Sequence, residues 1–227
     1  MLYQAIATDY DGTIATEGKV TQTTVAALQR WQQTGRKLLL VTGRRLDDLT
    51  SVFPQAQLFD CIVAENGALL AFPATEETTL LGNSPPESLI EALQQRQVPF
   101  ELGRGIISTS IPYDETVAEV IAQLNLAWQI SYNKGAVMLL PEGVDKDTGL
   151  TTALNHLNLS PNAVVAVGDG ENDLPLLQLC GLSVSVANAL PSLKAHSDWV
   201  MSKNSGEGVV ELIEKLLLEK LQLSDRN

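Results

Sequence analysis

The sequence is poor in basic residues. Its 227 residues include 15 Lys and Arg against 27 Asp and Glu, which gives a net charge of −12. Phosphate backbones and anionic membrane surfaces repel such a chain, so we expect neither nucleic acid nor a membrane as a partner. If this acidic protein binds phosphate, it must do so locally, through a bound cation or a few well-placed basic groups.

Cysteine and histidine are also scarce, with two of each. Neither Cys61 nor Cys180 has the CxxC neighbour that is typical of metal or redox sites, and a disulfide between them stays open as the weaker alternative. His156 and His196 are interpreted as surface or packing residues. No apolar run is long enough to cross a bilayer, and no basic, apolar leader begins the chain. These absences favour a cytoplasmic location.

The chain contains several short apolar runs, each followed by a polar or glycine-containing turn. Their hydrophobicity is continuous rather than alternating, which is typical of parallel strands that are covered on both faces. The runs are AIATDYDG (5–12), KLLLVTGR (37–44), CIVAENG (61–67), AVVAVGDG (163–170) and LSVSVAN (182–188).

Helical patterns lie between these runs. One follows Thr21 or Thr23 as its cap and ends at Gly35. Further helices are predicted from Asp147 or Thr148 to 157, over 172–179 and from about 208 to 223. Strands that alternate with helices predict an α/β, doubly wound (Rossmann-like) parallel sheet, in which ligands bind beyond the carboxyl ends of the strands.

The middle of the chain has a different organisation. A hairpin with Pro73 near its turn leads into the proline-rich break NSPPE, and a helix-strand-strand pattern then occurs twice before Pro141. We interpret this segment as a small inserted α+β domain. The predicted division is a core over residues 1–82 and 142–227, with the insertion at 83–141.

Four motifs at the predicted strand ends carry the candidate chemistry. Asp9 and Asp11 lie one residue apart at the mouth of a buried strand, where carboxylates are costly to desolvate. The motifs are DYDGT (9–13), TGR (42–44), Lys146 in GVDKDTGL, and GDGEND (168–173). In this order they resemble the haloacid dehalogenase superfamily, in its sugar-phosphatase-like (Cof-type) branch, whose cap is inserted after the third core strand. We therefore call residues 83–141 the cap.

The resemblance implies a role for each acid. Asp9 is expected to attack phosphorus and form an aspartyl phosphate, with Asp11 as the general acid and base. Mg²⁺, a hard cation that prefers oxygen ligands, is expected on the side chains of Asp9 and Asp169 and on the backbone carbonyl of Asp11. Asp173 is expected to bind the metal through water or to orient a ligand.

The resemblance also implies a set of donors around the phosphate oxygens. Thr42, the amide of Gly43 and the ammonium of Lys146 are expected to bind them, and Asn172 to hold the lysine or the phosphate. Arg44, Arg45, Asn66 and Asn188 are placed only in the vicinity of the site.

Two other sites that these motifs could form are excluded by residue type. As a calcium loop, DYDG would need glycine and glutamate where Ile14 and Val20 stand. As a dinucleotide fingerprint, GDGEND would point Asp173 at the pyrophosphate.

Two structural alternatives to the proposed roles remain open. Thr42 could cap a helix that begins near Leu46. Lys146 could pair with its neighbours Asp145 and Asp147 instead of reaching a phosphate.

The sequence as a whole predicts a Mg²⁺-dependent phosphatase that acts on a small phosphorylated metabolite, such as a sugar phosphate or phosphoglycolate. The alternatives are a phosphomutase of the same superfamily and a non-catalytic phospho-ligand-binding module. The acid at Asp11 favours hydrolysis. In the cap, Arg104 and Lys134 either reach an anionic substrate or keep the cap soluble.

Overall fold

The structure is a computed structural model that describes residues 3–224, with side chains to residue 218. It contains two sheets and eight α-helices within these residues. The strands are β1 (Ala5–Thr8), β2 (Lys37–Val41), β3 (Cys61–Ala64), β4 (Leu69–Phe72), β5 (Glu77–Leu80), β6 (Glu101–Leu102), β7 (Ile107–Ser110), β8 (Trp128–Asn133), β9 (Ala136–Pro141), β10 (Val164–Gly168), β11 (Leu182–Ser185) and β12 (Trp199–Val200).

The eight helices within residues 3–224 lie between or after these strands along the chain, six in the core and two, the third and fourth, in the cap. They are α1 (Gln22–Gln33), α2 (Leu46–Val52), α3 (Glu87–Gln95), α4 (Asp114–Gln123), α5 (Lys146–His156), α6 (Leu174–Leu179), α7 (Pro191–Lys194) and α8 (Ser205–Ser224). Short 3₁₀ turns supplement them at Pro54–Leu58, Glu65–Gly67, Pro161–Ala163 and Glu171–Asp173.

The core is an eight-stranded sheet with the order β12-β11-β10-β1-β2-β3-β4-β5. The strands from β12 to β3 pair in parallel, and the hairpin β4–β5 extends the sheet in antiparallel fashion. The predicted α/β doubly wound fold is confirmed. Because β1 lies between β2 and β10, the connections run outward in both directions from the β1/β10 pair, and a crevice forms there at the carboxyl ends.

Continuous apolar runs explain why the central strands are buried on both faces. All four residues of β1 and all five of β10 are buried. Helix α1 covers the sheet with Leu28 and Trp31, neither of which is exposed. Thr21, one of the two predicted caps, is the N-cap of this helix. Its hydroxyl oxygen accepts a hydrogen bond from the amide of Thr24 at 3.2 Å.

The cap elements form a second layered unit. Four antiparallel strands in the order β6-β7-β9-β8 carry α3 and α4 on one face. Residues such as Leu89, Val117 and Leu139 form a small apolar core between the helices and the sheet. These elements occupy residues 87–141, and the domain boundaries at 83 and 141 stay a prediction.

Three predicted helices have different ends in the structure. The helix expected from Asp147 or Thr148 begins at Lys146, because Asp145 and Thr148 form a reciprocal capping box. The pattern at 172–179 divides into a 3₁₀ turn and α6, which starts at Leu174. The last helix begins at Ser205, three residues before Gly208.

Both cysteines are free thiols, so the alternative disulfide is not formed. His156 packs its ring on Phe72 with centroids 4.1 Å apart, and His196 lies exposed with its Nδ1 beside the carbonyl of Ser192. Neither histidine contacts the aspartate motifs in the part of the chain that the structure describes. Within residues 3–224, no helix combines the length and apolar character needed to cross a membrane.

Candidate active site

Three buried carboxylates meet at the carboxyl ends of β1 and β10. Asp9 follows β1, while Asp169 and Asp173 follow β10. One oxygen from each lies within 4.8 Å of the other two, and the three residues are between 1% and 5% exposed. The parallel pairing of β1 with β10 explains why acids from distant parts of the chain arrive at one place.

Lys146 lies between two of these acids. Its Nζ donates to Oδ1 of Asp9 and to Oδ1 of Asp173, both at 2.6 Å, and its side chain is 1% exposed. The capping box occupies the Asp145 side chain, which accepts from the amide of Thr148 at 2.8 Å. The alternative in which Lys146 pairs with its sequence neighbours is therefore wrong.

The loop after β10 is held by Asp173. Its Oδ2 accepts from the amides of Asp169 and Gly170, both at 2.9 Å, while Oδ1 faces Lys146. The loop after β1 approaches it closely at Gly12, whose φ is +84° and whose missing Cβ would stand 2.8 Å from the Asp169 carboxyl carbon. Glycine is required there both for backbone conformation and for space.

Asp169 receives hydrogen bonds from three further side chains. Thr13 donates to its Oδ1 at 3.1 Å, and Asn188 donates to its Oδ2 at 3.2 Å. The ammonium of Lys134, from the turn between β8 and β9, also contacts Oδ2. Of these three partners, sequence reasoning placed Asn188 in the vicinity and weighed Lys134, whereas it gave no role to Thr13, the last residue of the DYDGT motif.

Burial dominates the electrostatics of the cluster. It raises the pKa of Asp9 to about 7, helped by the charges of Asp173 and Asp169 and opposed by Lys146. Burial also raises the pKa of Asp169, against the effect of Lys134. For Lys146, burial lowers the pKa, but the charges of Asp173 and Asp9 outweigh it and raise the pKa overall.

The donor set fits a hard divalent cation. Three buried carboxylates share one buried ammonium, and the half-exposed ammonium of Lys134 contacts only Asp169, so acids outnumber cations in the cluster. Among the described residues, Oδ2 of Asp9 accepts no hydrogen bond, while Oδ1 is taken by Lys146. Carboxylate oxygens at this spacing are the ligands that Mg²⁺ prefers. Asp9, Asp169 and Asp173 are thus the residues that could hold a metal ion.

Asp11 does not join this group through its side chain. Arg44 binds its carboxylate with two hydrogen bonds, from Nε to Oδ2 at 2.6 Å and from Nη2 to Oδ1 at 2.9 Å. Arg44 also donates to Asp48 at 2.5 Å and lies over the ring of Tyr10. The Asp11 side chain is 45% exposed, so it lies at the mouth of the site.

Thr42 is buried behind that mouth and does not cap α2. Its hydroxyl oxygen accepts from the amide of Arg44 at 3.1 Å, and the capping position of α2 belongs to Arg45, which forms no side-chain cap bond. The N-cap alternative for Thr42 is therefore wrong. Next to it, Gly43 faces Met138 of the cap, whose sulfur would be 3.4 Å from an added Cβ.

A chain of amides connects the cap to the core beside the aspartates. Asn172 donates to Oδ1 of Asn66 at 2.9 Å, and Asn66 donates to the hydroxyl of Ser131 on β8 at 3.4 Å. The Oδ1 atoms of Asn133 and Asn172 are buried and accept no hydrogen bond from the described residues. Polar groups of both domains therefore face the same space.

The two cap cations of the sequence analysis have different places. Lys134 reaches the aspartates, and its amide donates to the Glu171 carboxylate at 3.2 Å. Arg104 instead donates to the hydroxyl of Thr78 on the core hairpin, at 2.9 Å. Of these two residues, Lys134 is the one that the structure brings to the site.

The sequence model of the haloacid dehalogenase-like hydrolases matches residues 6–110 and 85–213 of this chain. The chain belongs to this family. It is 32% identical over 231 residues to a phosphoglycolate phosphatase of Methanopyrus kandleri, covering 94% of this chain and 97% of that protein. It is 30% identical over 222 residues to phosphoglycolate phosphatase 2 of Saccharolobus solfataricus, and this match covers 93% of this chain and 91% of that protein.

Among solved structures, the fold is similar to that of a haloacid dehalogenase-like hydrolase from Bacteroides thetaiotaomicron. The TM-score is 0.81 at 20% identity, and the match covers 94% of this chain and 99% of that one. The resemblance inferred from the four motifs is confirmed, and so is the prediction of a phosphatase enzyme of this family.

Proposed function

We propose that this haloacid dehalogenase-like phosphatase hydrolyses a small phosphomonoester, 2-phosphoglycolate or a close analogue, in a Mg²⁺-dependent reaction. The observation that carries the proposal is the buried group of Asp9, Asp169 and Asp173 around Lys146, at the crevice between β1 and β10. The full-length similarity to phosphoglycolate phosphatases supports the choice of substrate.

Asp9 is the proposed nucleophile. Lys146 fixes its Oδ1, which leaves Oδ2 to attack phosphorus as the bond to the leaving oxygen breaks. The product of this step is an aspartyl phosphate and an alcohol. A water molecule then attacks phosphorus, inorganic phosphate departs and the Asp9 carboxylate is restored.

Asp11 is the proposed proton carrier for both steps. It gives a proton to the leaving oxygen and later takes one from the attacking water. Its carboxylate is bound by Arg44 at the mouth of the site. To reach the reacting oxygens, it must leave Arg44 and turn about its own side-chain bonds.

The phosphate oxygens are proposed to be held by Thr42, the amide of Gly43 and Lys146, with Asn172 beside them. When bound on Asp9, Asp169, Asp173 and the backbone carbonyl of Asp11, Mg²⁺ would supply the positive charge that keeps the acids ionised beside an anionic substrate. Two backbone amides hold the Asp173 carboxylate, which in turn holds the ammonium of Lys146.

The proposed leaving group is small and anionic. The cap lies over the site with Met138 against the Gly43 loop and Ser131 against Asn66, so a bulky leaving group would clash with it. Lys134 supplies a cap cation at the aspartates, and its ammonium, once displaced from Asp169 by a metal ion, would bind a substrate carboxylate. A cytoplasmic location fits such a metabolite and stays part of the proposal.

The test is release of inorganic phosphate by the purified protein. We expect release from 2-phosphoglycolate in Mg²⁺, no release in excess chelator, and slower release from glucose 6-phosphate and glycerol 2-phosphate. Transfer of the phosphoryl group to a second sugar position, without free phosphate, would instead indicate a phosphomutase. Activity that persists in chelator would contradict the metal requirement.

A further inference from the structure

Glu65 is a buried acid outside the aspartate cluster. It is 2% exposed, and both of its carboxylate oxygens accept from main-chain amides of the turn between β6 and β7 in the cap. Oε1 accepts from Arg104 at 3.1 Å and Oε2 from Gly105 at 2.7 Å. Among the described residues no other group donates to this carboxylate. Because an unpaired buried carboxylate is costly, its burial depends on the docked turn.

The backbone of Glu65 is strained at the same point. Glu65 and Asn66 have φ values of +53° and +52°, in the left-handed region that residues other than glycine rarely adopt. Such conformations persist where the surrounding contacts enforce them. The contacts that can do so here are the hydrogen bonds to the cap on one side and to the core on the other.

The core contacts of this pair reach the loop that carries Thr42. The amide of Glu65 donates to the carbonyl of Arg44 and the amide of Asn66 donates to the carbonyl of Thr42, both at 2.9 Å. The side chain of Asn66 continues to Ser131 of the cap. Two adjacent residues therefore join two parts of the cap to the loop proposed to bind phosphate.

We propose that Glu65 is a positioning residue that couples docking of the β6–β7 turn to the placement of the Thr42 loop. With the turn docked, both oxygens of the Glu65 carboxylate accept hydrogen bonds, and the amides of Glu65 and Asn66 hold the Thr42 loop. When the turn lifts, the carboxylate must turn to water, and the main-chain bonds to the loop loosen. The consequence for phosphate binding rests on the proposed function, whereas the coupling itself does not.

The test compares Glu65→Gln with Glu101→Gln, a matched change at an exposed acid on β6. The amide of glutamine cannot accept both hydrogen bonds, so exchange at the Arg104 and Gly105 amides should rise about ten-fold or more. If the coupling exists, exchange should also rise at the amides of Glu65 and Asn66, which hold the Thr42 loop. Glu101→Gln should change neither set.

A second variant displaces the turn without touching the carboxylate. A Cβ at Gly105 would stand 2.8 Å from the Cβ of Ala68 and 2.9 Å from Cδ1 of Leu80, so Gly105→Ala pushes the turn away from the core. We expect the same pattern of exchange. This variant keeps the proposal testable if Glu65→Gln does not fold.

Turnover gives the third readout. In both variants kcat for 2-phosphoglycolate should fall about ten-fold, with KM changing less, because donors on this loop stabilise the phosphoryl group more in the transition state than in the bound substrate. Faster exchange at the turn alone, with the Glu65 and Asn66 amides unchanged, would overturn the proposal. So would unchanged kcat in a protein whose turn exchanges faster. A wild-type protein that released no phosphate would contradict the proposed function, and the exchange data would still decide the coupling.

Discussion

Lys146 and Asp9 form a buried ion pair of 2.6 Å although 137 positions separate them in the sequence. The lysine enters the site because a capping box starts α5 at Lys146, and the aspartate because β1 ends at Thr8. The same ammonium binds Asp173, so it orders two of the three acids at once. The cluster therefore depends on the relative placement of β1, α5 and the loop after β10.

Replacing the proposed nucleophile should abolish turnover without unfolding the protein. Asp9→Asn removes one of three buried negative charges and leaves Lys146 paired with Asp173. We expect phosphate release to fall by at least about 10³-fold, since the amide cannot form the acyl phosphate. Phosphate release and thermal unfolding are measured beside Asp47→Asn, an exposed acid on α2. Retained turnover would remove Asp9 from its role.

The stability of the metal-free protein should fall as the pH rises from about 4 towards neutrality. Burial raises the folded-state pKa of Asp9 to about 7 from its usual 3.8, so the folded protein holds a proton there that the unfolded chain has released. The free energy of unfolding then decreases between these two pH values, by at most about 4 kcal/mol from this group. Denaturant unfolding at about pH 5 and pH 8 measures it. The difference in the free energy of unfolding between these two pH values should be smaller in Asp9→Asn. An equal difference in the variant would show that Asp9 is not the group that titrates.

Loss of the proposed acid should separate the two chemical steps. With p-nitrophenyl phosphate the leaving phenolate needs little protonation, so Asp11→Asn should still form the aspartyl phosphate. Hydrolysis of that intermediate lacks its base and should slow about 10²-fold or more. Rapid mixing should therefore show a burst of nitrophenol followed by slow turnover. A uniformly slow reaction without a burst would contradict the assignment of Asp11 to the second step.

Lys134 should compete with a metal ion for Asp169. Its ammonium contacts Oδ2 of that residue, and a cation on the same oxygen must displace it. Lys134→Ala should therefore bind Mg²⁺ about ten-fold more tightly in the absence of substrate. Calorimetric titration measures the affinity, with Lys19→Ala, an exposed lysine, as the matched control. Unchanged or weaker affinity would show that the contact does not oppose metal binding.

Much of the fold could be predicted because its signals are local. Strands buried on both faces require continuous apolar runs, and such runs mark β1, β2, β3, β10 and β11. The edge strand β12 has only two residues, Trp199 and Val200, and offers no periodicity to detect. Helix α5 began earlier than expected because the capping box of Asp145 and Thr148 outweighed the apolar pattern.

Site residues could be predicted where they belong to a sequence motif. They could not be predicted where a single tertiary contact determines the partner of a side chain. Asp9, Asp169 and Asp173 follow strand ends, so sheet topology alone brings them together. The pairing of Asp11 with Arg44 could not be read from the sequence, since it depends on how the loop after β2 folds back. The buried role of Glu65 was hidden for the same reason, because its partners are backbone amides of the cap.

The most direct test of the account is to locate the phosphoryl group during turnover. Wild-type protein and Asp11→Asn are mixed with 2-phosphoglycolate in Mg²⁺, quenched in acid and digested, and the peptides are examined by mass spectrometry. We expect one added phosphoryl group on Asp9, more abundant in Asp11→Asn than in the wild type. A phosphoryl group on any other residue, or none in either protein while phosphate is being released, would contradict it.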